Sequence, residues 1–228
     1  MKNVHFRRAL SFGLDRASYN AQVNGEELKV NSLRNCFVPG NFVALEEDTT
    51  VSINGTDTTF PAGTYFGAIE QAQIDADGVA IKVWDPDGND GAGSSDGFDG
   101  WYNVDNAVAE LDTAIEELSA DGITIDEENP IYIDMPYASS LEAYSNQANA
   151  YKQSIEASLG GKVIVNLVDC VTSDGWYYAG YYADYGYEAN YDVYDVSGWS
   201  PDFGDPSTYL DTFLPDYAGY MVKCIGIY

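Results

Sequence analysis

Apolar positions recur with a helical period in two long stretches of the second half of the chain. In NVDNAVAELDTAIEELSADG (103–122) they step by 4, 3, 4 and 3 residues. These positions are Val104, Val108, Leu111, Ile115 and Leu118. Residues 141–159 carry a second apolar stripe, and the pair Gly160-Gly161 follows it as a helix-ending signal. Each pattern predicts an amphipathic helix that turns its apolar side to a core.

Shorter apolar runs between and after these helices predict strands. They are IYIDM at 131–135, KVIVNLV at 162–168 and YDVYDV at 191–196. The second run is nearly continuous, which is typical of a strand covered on both faces, whereas the third alternates. Because helices and strands alternate from 103 to 199, the order predicts an α/β domain with a partly parallel sheet flanked by helices.

The first half has weaker patterns. Residues 4–20 predict an opening helix, and residues 21–66 contain turn residues and the short β-like runs ELKV, TVSI and TYFG. The Gly/Asp-rich stretch 85–100 predicts an exposed loop, since it offers no apolar surface to bury. We find no internal repeat and no linker, so we predict one domain over 1–228.

Charge narrows the classes of partner. Ten Lys and Arg against 37 Asp and Glu give a formal charge of -27. Such a field disfavours nucleic acid and anionic lipid and favours cationic or zwitterionic small partners.

Neither a membrane-spanning run nor a signal-peptide pattern is found. Cys36, Cys170 and Cys224 form no CxxC pair, so they indicate neither a zinc site nor a disulfide framework and leave the compartment open.

The sequence does not indicate an enzyme. GSSDG at 93–97 fits the hydrolase pattern G-x-S-x-G, but the sole histidine, His5, lies upstream of it, so we interpret the match as chance. The chain has no P-loop and no dinucleotide fingerprint. We therefore predict no catalytic residue and no cofactor.

An acidic loop raises the alternative of calcium. Asp85, Asp87 and Asn89 alternate as oxygen ligands do, but Asp90 and Asp96 stand where a calcium loop has glycine and glutamate. A solvated loop is the favoured interpretation, and we predict no metal site.

The segment SGWSPDFGDP, 197–206, holds the most informative polar residues. Asp205 before Pro206 is a typical N-cap and first helical residue, which predicts a helix over the following STYLDTFL. Asp202 has no capping use and follows a predicted strand, where open α/β sheets collect ligand-binding groups. It is either a ligand-holding carboxylate beside the apolar wall of Trp199 or a solvated loop acid.

Eight tyrosines lie between 176 and 194. The favoured interpretation is that most of them pack against the core or shield a sheet edge. The alternative is an aromatic wall of a binding cleft, since tyrosine offers contact area at low entropic cost.

Six segments of the chain, taken in order, resemble characteristic segments of one protein family. The family is the family 5 extracellular solute-binding proteins, the oligopeptide and dipeptide receptors of bacterial ABC importers. The matching segments are VHFRRALSFGLDR, VPG, NVDNAVAELDTAIEELSADGI, PIYIDMPYASS, SLGGKVIVNLV and YDVYDVSGWSPDFGDPSTYL. The last resembles F-D-x…G-W-x-x-D-[YF]-x-[DE]-P and is the most specific.

The resemblance implies a fold and a role. It implies a type II periplasmic-binding-protein-like lobe, the second of a two-lobed receptor that encloses its ligand by hinge closure. Asp202 would then bind the α-ammonium of a peptide, with backbone groups of Gly198, Trp199 and Ser200 along the peptide strand. The implied partners are a peptide, the ABC permease and the first lobe. The full-length two-lobed receptor would be extracytoplasmic, as a lipoprotein or a periplasmic protein.

The segment departs from the family pattern at one place. Some peptide receptors carry an arginine just before G-W that meets the ligand's carboxylate, whereas this chain has Asp195, Val196 and Ser197 there. The resemblance therefore does not predict how the ligand's C-terminus is bound.

Two alternative functions stay open at this point. Relatives in the family also bind oligosaccharides, which the tyrosines could stack against. Outside the family, the acidic loop would suit a calcium-stiffened extracellular structural domain.

Overall fold

The computed structural model describes residues 1–30, 33, 35, 38, 40–79, 81–86, 101–189, 191–195 and 205–214. These residues fall into two compact units. The described residues of the first unit come from 1–29 and 101–195, and those of the second from 30–86 and 205–214. The expected organisation as one receptor lobe stays a prediction.

The first unit opens with two helices rather than the single predicted helix over 4–20. Helix α1 spans Val4–Gly13 and helix α2 spans Arg16–Asn24. The break occurs at Asp15, whose side chain accepts from the N–H of Ser18 and caps α2. The Asp15 N–H donates to the hydroxyl of Ser154 at 2.7 Å, so a tertiary contact fixes the break.

Helix α4 spans Val104–Ala120, as predicted, with Asn103 as its N-cap. The predicted buried face was wrong in part: Val104 and Val108 are each 39% exposed. Leu111 is buried, as predicted, and two alanines, Ala107 and Ala114, are buried with it. These small side chains face α1, where Ala9 is fully buried, and small residues let two helices approach closely.

A parallel strand–helix–strand motif forms the centre of the first unit. Strand β3 (Ile131–Tyr137), helix α5 (Glu142–Ser158) and strand β4 (Val163–Asp169) confirm the three predicted elements with small shifts of their ends. The strands pair from Ile131↔Val163 to Tyr137↔Asp169. Apolar side chains of the strands, of α5 and of its C-cap are buried here: Ile133, Met135, Val163, Val165, Ile155 and Leu159.

Strand β4 is covered over its first half only. Val163 and Val165 are buried, but Val168 is 39% exposed, so the predicted coverage of both faces is wrong for the end of the strand. At Val165, α5 also covers the open edge of β4. The carboxylate of Glu156 accepts from the Val165 N–H at 3.0 Å, and the ammonium of Lys152 donates to the Val165 carbonyl at 2.7 Å. Side chains thus satisfy an edge that would otherwise invite pairing.

The opposite edge of the sheet is satisfied by the segment predicted as a strand at 191–196. Its described part, 191–195, is irregular. The carboxylate of Asp192 accepts from the Asp134 N–H at 2.9 Å, while the N–H groups of Asp192 and Val193 donate to the Asp134 carbonyl. A side chain here replaces a backbone partner, so the alternating pattern does not extend the sheet.

Helix α6 (Ser173–Ala179) and a 3-10 turn at Gly186–Glu188 connect β4 to this segment. Thr172 caps α6 by accepting from the Gly175 N–H at 3.1 Å. None of the helices formed by the described residues combines the length and apolar character needed to cross a membrane.

The second unit contains a β-hairpin and a helix that the patterns resolve only in part. Strands β1 (Thr49–Ile53) and β2 (Thr56–Phe60) are antiparallel, which confirms TVSI as a strand. The turn residues Asn54 and Gly55 have φ of 45° and 77°, as a two-residue hairpin loop requires. TYFG was wrong, because helix α3 (Phe66–Ala76) begins within it.

The outcome differs for two other short segments whose structure was predicted from the sequence. The run ELKV in the first unit was also wrong, since a 3-10 turn occupies Glu26–Leu28. In the second unit, helix α7 (Pro206–Leu210) and a 3-10 turn at Asp211–Phe213 confirm the helix predicted after Asp205.

Candidate functional site

The four residues predicted to bind ligand, Gly198, Trp199, Ser200 and Asp202, lie outside the described residues. Their roles therefore stay predictions. The structure does describe the residues on both sides of them, 191–195 and 205–214. These flanks show how the chain is held as it enters and leaves the predicted site.

On the C-terminal side, Asp205 caps α7, as predicted. Its carboxylate accepts from the Ser207 N–H at 2.9 Å and from the Ser207 hydroxyl at 2.8 Å. These hydrogen bonds hold the pKa of Asp205 below its ordinary value. Capping therefore engages Asp205, and the ligand role of Asp202 stays a prediction.

On the N-terminal side, Asp195 is held by the first unit. The hydroxyl of Tyr19, on α2, donates to one carboxylate oxygen of Asp195 at 2.8 Å. The other oxygen, Oδ1, is buried and has no hydrogen-bond partner. Burial raises the pKa of Asp195, and the hydrogen bond from Tyr19 opposes that rise. Burial also raises the pKa of Tyr19, with the neighbouring Asp195 charge as a second cause.

An aromatic cluster anchors the same segment beyond the sheet. Trp176 on α6 is 2% exposed, and its ring centroid lies 4.9 Å from that of Tyr144 at the start of α5. The hydroxyl of Tyr194 donates to the Trp176 carbonyl at 2.9 Å, and the ring of Tyr194 stacks on Tyr191 at 4.7 Å. Both helix starts follow the carboxyl ends of parallel strands, where α/β folds place binding sites.

Close packing within this cluster requires a glycine. A Cβ at position 180 would lie 2.4 Å from Cε1 of Tyr191 and 3.1 Å from Cε1 of Tyr194. Gly180 is therefore a packing requirement of the two tyrosines that precede Asp195.

The eight tyrosines divide into two groups of four. Tyr177, Tyr181, Tyr191 and Tyr194 are half-buried, in keeping with the favoured interpretation. Tyr178, Tyr182, Tyr185 and Tyr187 are exposed by 74%, 53%, 48% and 75%. Packing accounts for the first group. In the second group, the ring of Tyr182 also contacts those of Tyr177 and Tyr181, at 5.5 and 5.6 Å.

One titratable group escaped the sequence analysis. Glu70 lies on α3 in the second unit, its Oε2 is buried without a hydrogen-bond partner, and burial raises its pKa to about 7. No charge pattern marks this position. The available signal was a carboxylate directly after Ile69 in the mainly apolar run FGAIEQAQIDA, whose other carboxylate is Asp75.

The described residues bear on two other features, the possible metal ligands and the single histidine. Within the described ranges, no group of three or more His, Cys, Asp or Glu side chains could hold a metal ion. Residues 87–100 of the acidic loop lie outside those ranges. His5 contacts Glu110 at 2.6 Å, which links α1 to α4 and gives the histidine a structural role.

Comparison with known proteins decides the family. The oligopeptide-binding protein AmiA of Streptococcus pneumoniae is 35% identical over 209 residues, which cover 92% of this chain. The oligopeptide-binding protein SarA of Streptococcus gordonii is 34% identical over 215 residues, or 94% of this chain. Over nearly its whole length, the chain is therefore similar to a segment of proteins named oligopeptide-binding. This confirms the resemblance to the family 5 solute-binding proteins.

The match is to a part of each relative. It covers 28% of the length of AmiA and of SarA. No family model matches the chain.

A solved structure confirms the fold class. Listeria monocytogenes OppA bound to peptide aligns with a TM-score of 0.51 at 20% identity, covering 97% of this chain and 31% of that one. The α/β class of the periplasmic-binding-protein type is therefore correct. Among the described residues, the parallel and antiparallel strand pairs form two separate two-stranded sheets.

Proposed function

We propose that this chain is the second lobe of a two-lobed solute-binding protein that captures oligopeptides for an ABC importer. The observation that carries the proposal is the 35% identity to AmiA, named an oligopeptide-binding protein, over 92% of this chain. A first lobe closes over the peptide, and the permease receives it. The parent is extracytoplasmic, as a lipoprotein or a periplasmic protein, and is not an enzyme.

Asp202 is the proposed anchor of the peptide's α-ammonium. A carboxylate in a closed, water-poor cleft forms a charge-assisted hydrogen bond with an ammonium group. The anchored flanks support this assignment: Asp192 and Tyr194 fix the chain before the site, and Asp205 starts a helix after it. Backbone groups of Gly198, Trp199 and Ser200 would follow the extended peptide.

A second candidate, an oligosaccharide receptor, draws on the four exposed tyrosines. Sugars stack on aromatic faces, but they are neutral and gain nothing from a chain of charge -27. A peptide could use both the exposed tyrosines and the negative charge, because its N-terminus is cationic.

The test is a calorimetric titration of the two-lobed protein with short peptides, each with a free and with an acetylated N-terminus. We expect binding of free-amine peptides only, and Asp202→Asn should weaken it by about 2–5 kcal/mol, as for a buried charge pair that loses one partner. Asp205→Asn is the matched control, because asparagine also caps helices and removes the same charge three residues away. Equal binding of acetylated peptides would reject Asp202 as the anchor, and no binding of any peptide would reject the proposed function.

A further inference from the structure

The four exposed tyrosines define what we call the tyrosine surface: Tyr178, Tyr182, Tyr185 and Tyr187. The ring of Tyr178 lies 5.2 Å from that of Tyr182, and Tyr185 stacks on Tyr187 at 5.3 Å with 10° between the ring planes. These rings therefore form two ordered pairs. A folded protein gains little from exposing large aromatic side chains together, so such a surface indicates a partner.

Exposed carboxylates accompany these rings. Asp174 lies one turn before Tyr178 on α6, so the two side chains share a helix face. Asp184 precedes Tyr185, and Glu188 follows Tyr187; all three acids are exposed. The surface therefore presents ring faces and negative charges together.

No basic residue of this region neutralises those charges. The sequence has no Lys, Arg or His between 163 and 222. The two preceding lysines are engaged elsewhere: Lys152 pairs with Glu156 at 2.5 Å and Lys162 with Asp112 at 3.2 Å. Among the described residues, no ion pair engages Asp174, Asp184 or Glu188, so these carboxylates could face an incoming cation beside the ring faces.

We infer that the tyrosine surface binds lysine or arginine side chains of the peptide, so that the receptor prefers cationic peptides. The cationic head interacts with the electron-rich ring faces and with the nearby carboxylates, while the aliphatic stem covers the rings. This inference rests on the proposed peptide-binding function and adds a ligand class to it. A neutral sugar would use the rings alone and leave the carboxylates without a role.

The test compares two peptides with free N-termini that differ only in one side chain, lysine or acetyl-lysine. They match in length and apolar content and differ in charge. Titrated into the two-lobed protein at low ionic strength, the lysine peptide should bind about three- to tenfold more tightly. Raising the salt concentration should reduce that preference, since exposed charges are screened.

Substitutions locate the effect. The double variant Tyr178→Leu/Tyr187→Leu should lose most of the preference, whereas Tyr178→Phe/Tyr187→Phe should retain it, because phenylalanine keeps the ring face. Tyr132→Leu is the matched control: Tyr132 is 61% exposed but lies on β3, outside the tyrosine surface. Its substitution should leave the preference unchanged.

The outcomes separate this inference from the proposed function. Equal affinity for the two peptides would overturn the preference for cations while peptide binding itself still stood. A preference that survives the leucine substitutions would overturn the assignment to the tyrosine surface. Failure of both peptides to bind, or binding of cello-oligosaccharides that the leucine variant abolishes, would overturn the inference together with the peptide function.

Discussion

The parallel β3–α5–β4 motif and the tyrosine-rich segment 176–195 follow one another in the chain but treat their surfaces differently. The motif buries its apolar side chains, and side chains bond to each open edge of its sheet: Glu156 and Lys152 at Val165, and Asp192 at the Asp134 N–H. The tyrosine-rich segment anchors itself through Trp176 yet exposes four rings. Folding alone explains the motif, whereas the exposed rings form the surface that we infer binds cationic side chains.

The largest effect is expected from the core of the motif. Ile155 on α5 is fully buried, so Ile155→Ala should reduce the free energy of unfolding by about 2–5 kcal/mol through lost burial and a cavity. Val168→Ala on β4 is the control: the side chain is 39% exposed, and its loss should cost about 0.5 kcal/mol. Urea unfolding of both variants measures the difference. Equal costs would show that the motif is not the stable part of the unit.

A smaller effect is expected where the tyrosines pack. Gly180→Ala places a Cβ 2.4 Å from Tyr191 and should destabilise the fold by about 1–3 kcal/mol through overpacking. In a Tyr191→Ala background the same change should cost much less, because the colliding ring is gone. A double-mutant cycle followed by thermal unfolding measures this coupling. Additive effects would place the source of the cost elsewhere.

A still smaller effect is expected at the start of α6. Thr172→Ala removes the side chain that accepts from the Gly175 N–H and should cost about 1 kcal/mol. Thr172→Ser should restore most of that stability, since serine caps equally well. Chemical unfolding of the two variants decides the matter, and a serine variant as weak as the alanine variant would contradict the capping role.

The smallest expected effect depends on pH. Burial raises the folded-state pKa of Asp195, so its contribution to stability is fully present below the unfolded-state pKa and is lost as pH rises through the folded-state pKa. Asp195→Asn should therefore match the parent at low pH and exceed it in stability near neutral pH. Asparagine still accepts the hydrogen bond from Tyr19.

Asp184→Asn is the control for this pH dependence, because it removes the same charge from an exposed site. Unfolding measured from pH 3 to pH 7 should show a growing advantage for the Asp195 variant alone. A constant difference across that range, or a less stable Asp195 variant at neutral pH, would contradict the burial argument.

Periodicity along the sequence was enough to predict α4, β3, α5 and β4, because the core repeats apolar residues at helical or strand spacing. It missed features set by contacts between distant residues. The break after α1 depends on Ser154, 139 residues away along the chain, and the buried face of α4 depends on the small residues of α1. YDVYDV alternates like a strand, yet the Asp134 N–H donates to the Asp192 side chain where a paired strand would offer a backbone carbonyl.

Around the candidate site, too, local features could be predicted from the sequence and distant contacts could not. The cap at Asp205 was predictable, since an Asp-Pro pair acts within one helical turn. The partner of Asp195 was not, because Tyr19 lies 176 residues away. The division of the tyrosines into packed and exposed rings also required the fold, since all eight have the same local chemistry.

A crystal structure of the two-lobed protein with a free-amine peptide would test the central claim most directly. We expect the peptide's α-ammonium about 2.7–2.9 Å from a carboxylate oxygen of Asp202, as in a charge-assisted hydrogen bond. Asp205 should keep its bonds to Ser207 in the same structure. A peptide whose ammonium contacts a different group, with Asp202 facing solvent, would contradict the account.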